Sequence, residues 1–173
     1  MMTLRFGLKT DMRDGKSDGT YWVESTGDTV FETAGAGFDS TRSAISLRLP
    51  SHVEVLILEG KLVLNGTGNS GNNTLTGNAG VNKLISAAGD DVLNGDRGSD
   101  RLEGGRGDDT LIVDTSRDVV VERANEGTDT VRSTFSYRLT SNLENLELRG
   151  TKNLTGTGNG LENVVTGNGG RGR

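Results

Sequence analysis

The amino-acid sequence predicts an all-β fold, a β-solenoid in which the short strands of successive repeats stack on one another. Three observations predict it: a nine-residue pattern occurs five times, a ninety-residue pattern encloses it, and no segment shows a persuasive helical periodicity. Repeats this short bury their apolar residues only by stacking on their neighbours, so they favour a solenoid over a globular core.

The nine-residue pattern holds its phase through residues 68–112. Its units are GNSGNNTL (68–75), GNAGVNKL (77–84), SAAGDDVL (86–93), GDRGSDRL (95–102) and GGRGDDTL (104–111). The fourth residue is always Gly, the sixth is Asn or Asp, and the eighth is Leu. The first six residues predict a tight loop, because Gly adopts a positive φ at no steric cost. The next three, such as Thr74–Thr76, predict a short strand with one inward Leu.

The ninety-residue pattern relates residues 28–60 to residues 118–150, with 16 of 33 positions identical and no gaps. Ninety is ten times nine, so both copies keep the phase of the shorter repeat. Trp22 aligns with Ile112 and is predicted to be a core residue. The linking segments predict strands at Thr29–Glu32, Ser43–Leu49, Val53–Leu58, Val119–Glu122, Ser133–Leu139 and Leu143–Leu148.

The two periods together predict three segments. Residues 1–67 form a degenerate, β-rich first copy of the ninety-residue unit. Residues 68–112 hold the five nonapeptides. Residues 113–173 form the second copy of the β-rich linking segment, followed by a degenerate start of new repeats.

Composition excludes several classes of protein. The absence of Cys excludes a disulfide scaffold, a Cys-ligated zinc site and a Cys nucleophile. The longest purely apolar run, Val55–Leu58, is far shorter than the roughly 20 residues of a membrane span, so no membrane span is predicted. The first fifteen residues lack the apolar stretch of a signal peptide. A pI near 4.9 argues against nucleic acid as a partner.

The negative charge is concentrated in one part of the chain. Residues 86–129 hold 12 of the 24 acidic residues and 5 of the 19 basic ones, a net charge of −7, whereas the whole chain carries −5. Aromatic residues make up only 4% of the chain, so the predicted core is thin. The acidic segment therefore marks where bound cations would supplement hydrophobic burial.

The unit GGRGDDTL matches every fixed position of the nonapeptide G-G-x-G-x-D-x-U-x, in which U is a large apolar residue. The repeats therefore resemble the RTX, or haemolysin-type, calcium-binding repeat, and the whole architecture resembles the large secreted bacterial proteins of that type. The resemblance implies a right-handed parallel β-roll with two nonapeptides in each turn. It also implies Ca²⁺ as the cofactor, type I secretion, and folding outside the cell.

In such a roll, residues 18 apart stack at about 4.8 Å. Stacked carboxylates repel by a few kcal/mol at an effective dielectric constant of about 20, and Ca²⁺, which takes 6–8 oxygen ligands, reverses that sign. The predicted sites are Asp91/Asp109, flanked by Asp90 and Asp108, then Asn82/Asp100, then Asn73/Asp91. The loop backbone around the metal is predicted to involve Gly89, Gly98, Gly104, Gly105 and Gly107.

No catalytic site is predicted. His52, the only His, is expected in a surface turn, and neither H-E-x-x-H nor G-x-S-x-G occurs. The sequence thus predicts a non-catalytic calcium-binding module with Ca²⁺ ions as its partners. Two alternatives stay open: a calcium-poor structural or adhesin-like solenoid, which Asn73 and Asn82 favour, and an accessory module of a secreted hydrolase or polysaccharide-modifying enzyme. No motif identifies a protein or glycan partner.

Overall fold

The computed structural model describes residues 2–4 (backbone only), 11–13, 15 and 17–170. Within these residues every regular element is a β-strand, and all the strand pairs are parallel. The chain winds through about nine turns of a β-solenoid. The predicted all-β solenoid with parallel strands is therefore confirmed.

One long sheet runs along the solenoid and connects all three segments predicted from the sequence. It contains ten strands, each paired with the equivalent strand of the next turn. They are β1 (Met2–Leu4), β3 (Gly19–Val23), β5 (Ser40–Ser43), β7 (Val55–Leu58), β9 (Thr74–Thr76), β11 (Val92–Asn94), β13 (Thr110–Val113), β15 (Thr130–Ser133), β17 (Asn145–Leu148) and β19 (Val164–Thr166).

The remaining strands form the other wall of the solenoid. A five-stranded sheet contains β6 (Leu47–Arg48), β8 (Asn65–Thr67), β10 (Lys83–Ala88), β12 (Arg101–Arg106) and β14 (Val119–Val121). Two short pairs lie at its ends: β2 (Asp11–Met12) with β4 (Thr29–Val30), and β16 (Tyr137–Arg138) with β18 (Gly156–Thr157).

The nonapeptides stack with the predicted period of 18 residues. Leu93 pairs with Leu75 on one side and with Leu111 on the other, while Leu84 pairs with Leu102 in the opposite sheet. All five of these Leu side chains are fully buried. They form a narrow apolar core between the two sheets, which agrees with the low aromatic content of the chain.

The turns outside the nonapeptides differ in length. From Gly19 the strand pairings lead in successive steps of 20, 15, 19, 18 and 18 residues to Asp109. These five turns make up the ninety-residue unit. The unit is therefore five turns of unequal length, although its total equals ten nonapeptides.

The predicted strand Ser43–Leu49 is wrong as a single element, because the chain turns a corner inside it. Strand β5 ends at Ser43, and β6 begins at Leu47 in the other sheet. At the corner, the Ser43 hydroxyl donates to the Ile45 carbonyl oxygen (2.8 Å) and accepts the Ile45 N–H (3.2 Å). Ser133 and Phe135 repeat both bonds in the second copy, where they separate β15 from β16.

The prediction that Trp22 is a core residue is also wrong. Its neighbour Tyr21 is fully buried, whereas Trp22 is only partly buried and carries the Arg42 guanidinium 5.2 Å from its ring centroid. Neighbouring residues of a strand point to opposite faces, so burying Tyr21 turns Trp22 outward. Leu111 and Ile112 show the same alternation in the second copy.

Gly107 shows why the loops need glycine. Its φ is +125°, and an added Cβ would overlap the carbonyl oxygen of Gly89 on the adjacent turn. We expect Gly107→Ala to lower the free energy of unfolding by more than about 2 kcal/mol, because a strained backbone and a steric clash with main-chain atoms act together. Unfolding in urea, followed by circular dichroism with Ca²⁺ present, measures the change.

Gly160→Ala is the matched control for Gly107→Ala. Gly160 has no positive φ in the left-handed region, and nothing lies within 4 Å of an added Cβ. Its free energy of unfolding should change by less than about 0.5 kcal/mol. Equal losses in the two variants would contradict the close approach of the loops.

Candidate metal centre

The residues that precede the strands of the ten-stranded sheet form a continuous column, here called the entry column. Its members stack because each lies one residue before the segment that pairs with a neighbouring turn; Gly19 is itself the first residue of β3 and precedes Thr20, which pairs with Ser40. They are Gly19, Asp39, Glu54, Asn73, Asp91, Asp109, Asp129, Glu144 and Asn163. The nonapeptide residues predicted as ligands on this side are therefore the central part of a longer series.

A ladder of hydrogen bonds orders the carboxylates of the entry column. The Asn73 N–H donates to Asp91 Oδ1 (2.6 Å), and the Asp91 N–H donates to Asp109 Oδ1 (2.8 Å). The Asp109 N–H in turn donates to Asp129 Oδ1 (2.9 Å). Each carboxylate thus uses one oxygen to bind the backbone of the preceding turn, which fixes its orientation.

The second carboxylate oxygen is buried without a hydrogen-bond partner at several positions. This holds for Oδ2 of Asp91, Asp100 and Asp109, and for Oε2 of Glu122. Buried polar atoms are normally paired, because leaving one unpaired costs about 1–3 kcal/mol. Hard oxygen atoms left over in this way suit Ca²⁺, which prefers carboxylate and carbonyl oxygens. The residues present therefore fit the ion that the repeats imply.

A shorter opposite column lies at the start of the five-stranded sheet and contains Asn82, Asp100 and Asp118. The Asn82 N–H donates to Asp100 Oδ1 (2.8 Å), and the Asp100 N–H donates to Asp118 Oδ1 (3.0 Å). Asp100 is buried, whereas Asp118 is partly exposed and caps the turn at Asp114 through its other oxygen (3.1 Å).

Burial raises the pKa of the columnar carboxyl groups well above their ordinary range. The pKa of Asp109 rises to about 8, that of Asp100 to about 7 and that of Asp91 to about 6, with burial as the largest cause in each. Neighbouring acidic groups add to the effect: Asp91 and Asp129 act on Asp109, and Asp118 acts on Asp100. Without a cation, ionised carboxylates are thus disfavoured here.

Glycine makes room for these carboxylates, as the sequence predicted for the loops. An added Cβ at Gly104 would overlap the carboxylates of Asp109 and Glu122, and one at Gly95 would lie 2.6 Å from Asp100 Oδ2. Four of the predicted loop residues have a positive φ: Gly89, Gly98, Gly105 and Gly107.

The third nonapeptide keeps this loop shape although Ser and Ala replace its first two glycines. Ala87 has a φ of +96°, close to the +101° of Gly105, its partner on the next turn. The Ser86 hydroxyl donates to the Gly104 carbonyl oxygen. The hydroxyl therefore links the third loop to the fifth nonapeptide loop on the next turn.

Asn closes the first two nonapeptide loops without a cation. Asn73 Oδ1 accepts the Asn69 N–H (2.7 Å), and Asn73 Nδ2 donates to Asn69 Oδ1 (3.2 Å). Asn78 and Asn82 form the same pair of bonds at 2.8 and 3.0 Å. The NH₂ groups of these amides thus donate hydrogen bonds to loop oxygens that a cation would otherwise bind. That Asn73 and Asn82 bind metal stays a prediction, and the structure gives their amides this other role.

Asp90 and Asp108, predicted to flank the best site, are exposed and lie beside the entry column. Asp90 Oδ1 accepts the Asp108 N–H (3.0 Å), and Asp108 Oδ1 accepts the Thr128 N–H (2.8 Å). They form a second, outer ladder between turns. Their part in metal binding also stays a prediction.

Sequence reasoning missed Asp118 and Asp129, which continue the two columns into the linking segment, and Glu122, which lies beside Gly104. The ninety-residue alignment contained a signal for them, because the first copy has identical residues at positions 28, 32 and 39. His52 lies in an exposed turn with a φ of +65°, as predicted.

A parallel solenoid with buried, stacked carboxylates fits the class of cation-binding repeat proteins. Residues 67–102 and 94–120 match the family described as the RTX calcium-binding nonapeptide repeat (4 copies). The chain therefore carries a calcium-binding β-roll module of RTX type, and this repeat family is typical of secreted bacterial proteins.

Neither the curated proteins nor the solved structures contain a match to the chain. Among the residues that the structure describes, no helix has the length and apolar character of a membrane span.

Proposed function

We propose that this chain is a non-catalytic module that binds Ca²⁺ outside the cell and folds as the ions bind. The observation that carries the proposal is the set of buried carboxylate oxygens without a partner, Oδ2 of Asp91, Asp100 and Asp109. The other oxygen of each carboxylate, Oδ1, accepts a backbone N–H from the preceding turn, so the carboxylate is held in place while Oδ2 has no donor. Secretion and the type I route are proposed from the resemblance to secreted RTX proteins.

Folding and binding are coupled because the sites exist only in the stacked solenoid. Each predicted pair, such as Asp91 with Asp109, comes from two successive turns. The unfolded chain holds no such pair, so the free energy of ion binding contributes to folding. At an ion concentration a hundred times the dissociation constant, each site stabilises the fold by about 2.7 kcal/mol.

A calcium titration tests the proposal. We expect the metal-free protein at pH 7.5 to show an incomplete β-signal in far-ultraviolet circular dichroism. The signal should rise to completion with a midpoint of about 0.1–1 mM Ca²⁺, the range of extracellular sites. Mg²⁺ is the matched control and should act weakly, because it demands a small octahedral site and dehydrates reluctantly. A full β-signal in the absence of metal that Ca²⁺ leaves unchanged would refute the proposal.

A second candidate function is a calcium-poor structural solenoid. The closed amide pairs Asn69/Asn73 and Asn78/Asn82 favour it, because these loops satisfy their own polar groups. Asn159 and Asn163 repeat the arrangement near the end of the chain. The same titration separates the two candidates, since a calcium-poor solenoid would be folded without the ion.

A further inference from the structure

The linking loop, residues 122–129, joins β14 to β15 beside the loop of the fifth nonapeptide. By strand register Glu122 stands beside Gly104, and Asp129 stands beside Asp109. Ligand oxygens of Asp109, Glu122 and Asp129 consequently lie within 4.8 Å of one another. The relative exposure of the three residues is 1%, 7% and 1%.

Hydrogen bonds orient this cluster and leave part of it unused. Glu122 Oε1 accepts the Gly104 N–H (2.9 Å), and Asp129 Oδ1 accepts the Asp109 N–H (2.9 Å). Asp109 Oδ2 and Glu122 Oε2 remain buried without a partner. Gly104 forms one wall, where an added Cβ would overlap both carboxylates. The three carboxylates are therefore buried and held in fixed orientations, unlike a group of acidic residues on the surface.

Among the described residues, no cationic side chain forms an ion pair with any of the three carboxylates. The ion pairs in the described part of the chain involve Glu59, Glu103, Glu126 and Glu147, and none of them includes a member of this cluster. Three buried carboxylates this close together disfavour one another's ionisation, and a cation between them would offset that cost. All the available ligand atoms are oxygens, which suits a hard divalent cation.

We propose that Asp109, Glu122 and Asp129 bind a divalent cation of the Ca²⁺ type that joins the last nonapeptide turn to the linking loop. The site goes beyond the repeats, because Glu122 and Asp129 lie outside residues 67–120, which match the nonapeptide family. It rests on the proposed function in that Ca²⁺ is the ion the module is proposed to bind. The ion would hold the linking loop, whose turn differs in length from the nonapeptide turns, against the loop of the fifth nonapeptide.

The first copy of the ninety-residue unit provides an internal comparison. Gly19 stands there in the position of Asp109, so one carboxylate of the cluster is missing. Tyr21 stands in the position of Leu111, and its hydroxyl donates to Glu32 Oε1, the equivalent of Glu122. In the first copy a neutral hydroxyl donates a hydrogen bond to Glu32. In the second copy no such donor is present at Leu111, and Glu122 is available to a cation.

The number of Ca²⁺ ions bound tests the site. We expect Glu122→Gln and Asp129→Asn each to bind one ion fewer than the unchanged protein, as counted by equilibrium dialysis with calorimetry. Each substitution keeps an oxygen for the backbone N–H and removes only the charge. Glu32→Gln is the matched control in the first copy and should leave the count unchanged. In metal-free buffer at pH 7.5, Glu122→Gln should be more stable than the unchanged protein, which separates loss of the ion from a failure to fold.

The outcomes distinguish this site from the proposed function. If the unchanged protein binds Ca²⁺ and Glu122→Gln binds the same number of ions, this site is refuted and the module is not. If the unchanged protein binds no Ca²⁺, both are refuted. A lower count in Glu32→Gln as large as that in Glu122→Gln would also overturn the assignment, because the first copy lacks the cluster.

Discussion

Asp109→Asn should weaken calcium-induced folding more than any other single substitution in the nonapeptides. Asp109 lies between Asp91 and Asp129 in the entry column and faces Glu122, so its charge serves two candidate sites. Removing a charged ligand lowers the affinity of a Ca²⁺ site. We expect the midpoint of the calcium titration to rise at least about tenfold, which corresponds to about 1.4 kcal/mol.

Asp108→Asn is the matched control for Asp109→Asn. It removes the same charge from the neighbouring residue, which is exposed and lies in the outer ladder. The midpoint should then change less than about twofold, because exposed charges are screened by solvent and salt. Equal shifts in the two variants would show that overall charge, and not the buried column, governs the response.

The same comparison tests the ranking of the predicted sites. We expect Asp91→Ala to weaken the response far more than Asn73→Ala, because Asp91 has a buried oxygen without a partner, whereas the Asn73 amide is already bonded to Asn69. Equal effects would contradict the order in which the sites are ranked.

Metal-free protein should fold at about pH 5 and unfold at about pH 8.5. The pKa values of the buried carboxyl groups are raised from 3.8 or 4.5 to between about 6 and about 8, chiefly by burial. The folded state therefore holds protons more tightly than the unfolded state. Their contribution to stability is complete below the ordinary pKa values of 3.8 and 4.5, and it is lost progressively as the pH rises from there to about 6–8. The groups concerned are Asp91, Asp100, Asp109, Glu122 and Asp129.

The magnitude of this effect is large compared with the stability of a domain. Each pH unit by which burial raises a pKa corresponds to about 1.4 kcal/mol of preference for the neutral form. The five groups act in the same direction, whereas an ordinary domain is stable by only about 5–15 kcal/mol, so their ionisation should destabilise the metal-free fold strongly. Opposing this, the pKa values of Glu103 and Glu147 are lowered with Arg neighbours close by, so their contribution is lost in more acidic solution. The optimum of the metal-free fold should therefore lie in acid, at about pH 4–5.

Circular dichroism and thermal unfolding between pH 4.5 and 8.5 measure this dependence. The protein should first be freed of Ca²⁺ on a chelating resin, because soluble chelators bind Ca²⁺ poorly in acid. Asp100→Asn is a suitable comparison, since it removes one of the raised pKa values and should flatten the profile. Added Ca²⁺ should restore the fold at pH 8.5. If the metal-free protein is equally folded at both pH values, ionisation of the buried carboxyl groups does not destabilise the fold and the prediction is wrong.

Much of the nonapeptide region could be predicted from the sequence because its period is constant. Once Leu and Asp recur every nine residues and a turn contains two units, the pairs Leu93/Leu111 and Asp91/Asp109 follow from arithmetic. The strand Thr74–Thr76 was also predicted with its observed bounds. The loop glycines were predictable for the same reason, because tight turns at fixed positions require a positive φ.

The linking segments did not allow the same reasoning, because their turns contain 20, 15 and 19 residues. No single period places Asp129 above Asp109 or Glu144 above Asp129. The corner at Ser43–Ile45 likewise depends on a side-chain hydrogen bond that the alternating pattern does not reveal. The sequence also led to the wrong prediction that Trp22 lies in the core, whereas the structure buries its neighbour Tyr21.

The sequence alone determined that residues 68–112 are five calcium-type nonapeptides with a thin Leu core, inside a segment with a local charge of −7. Only the tertiary structure decided which carboxylates meet beyond these repeats. The structure extends the entry column past the repeats to Asp129 and places Glu122 beside Asp109. Asp109 Oδ2 and Glu122 Oε2 are buried there without a hydrogen-bond partner, and Asp129 lies close to other acidic groups. The physical reason is that stacking in a solenoid depends on where each strand starts, and turns of unequal length conceal that register from the sequence.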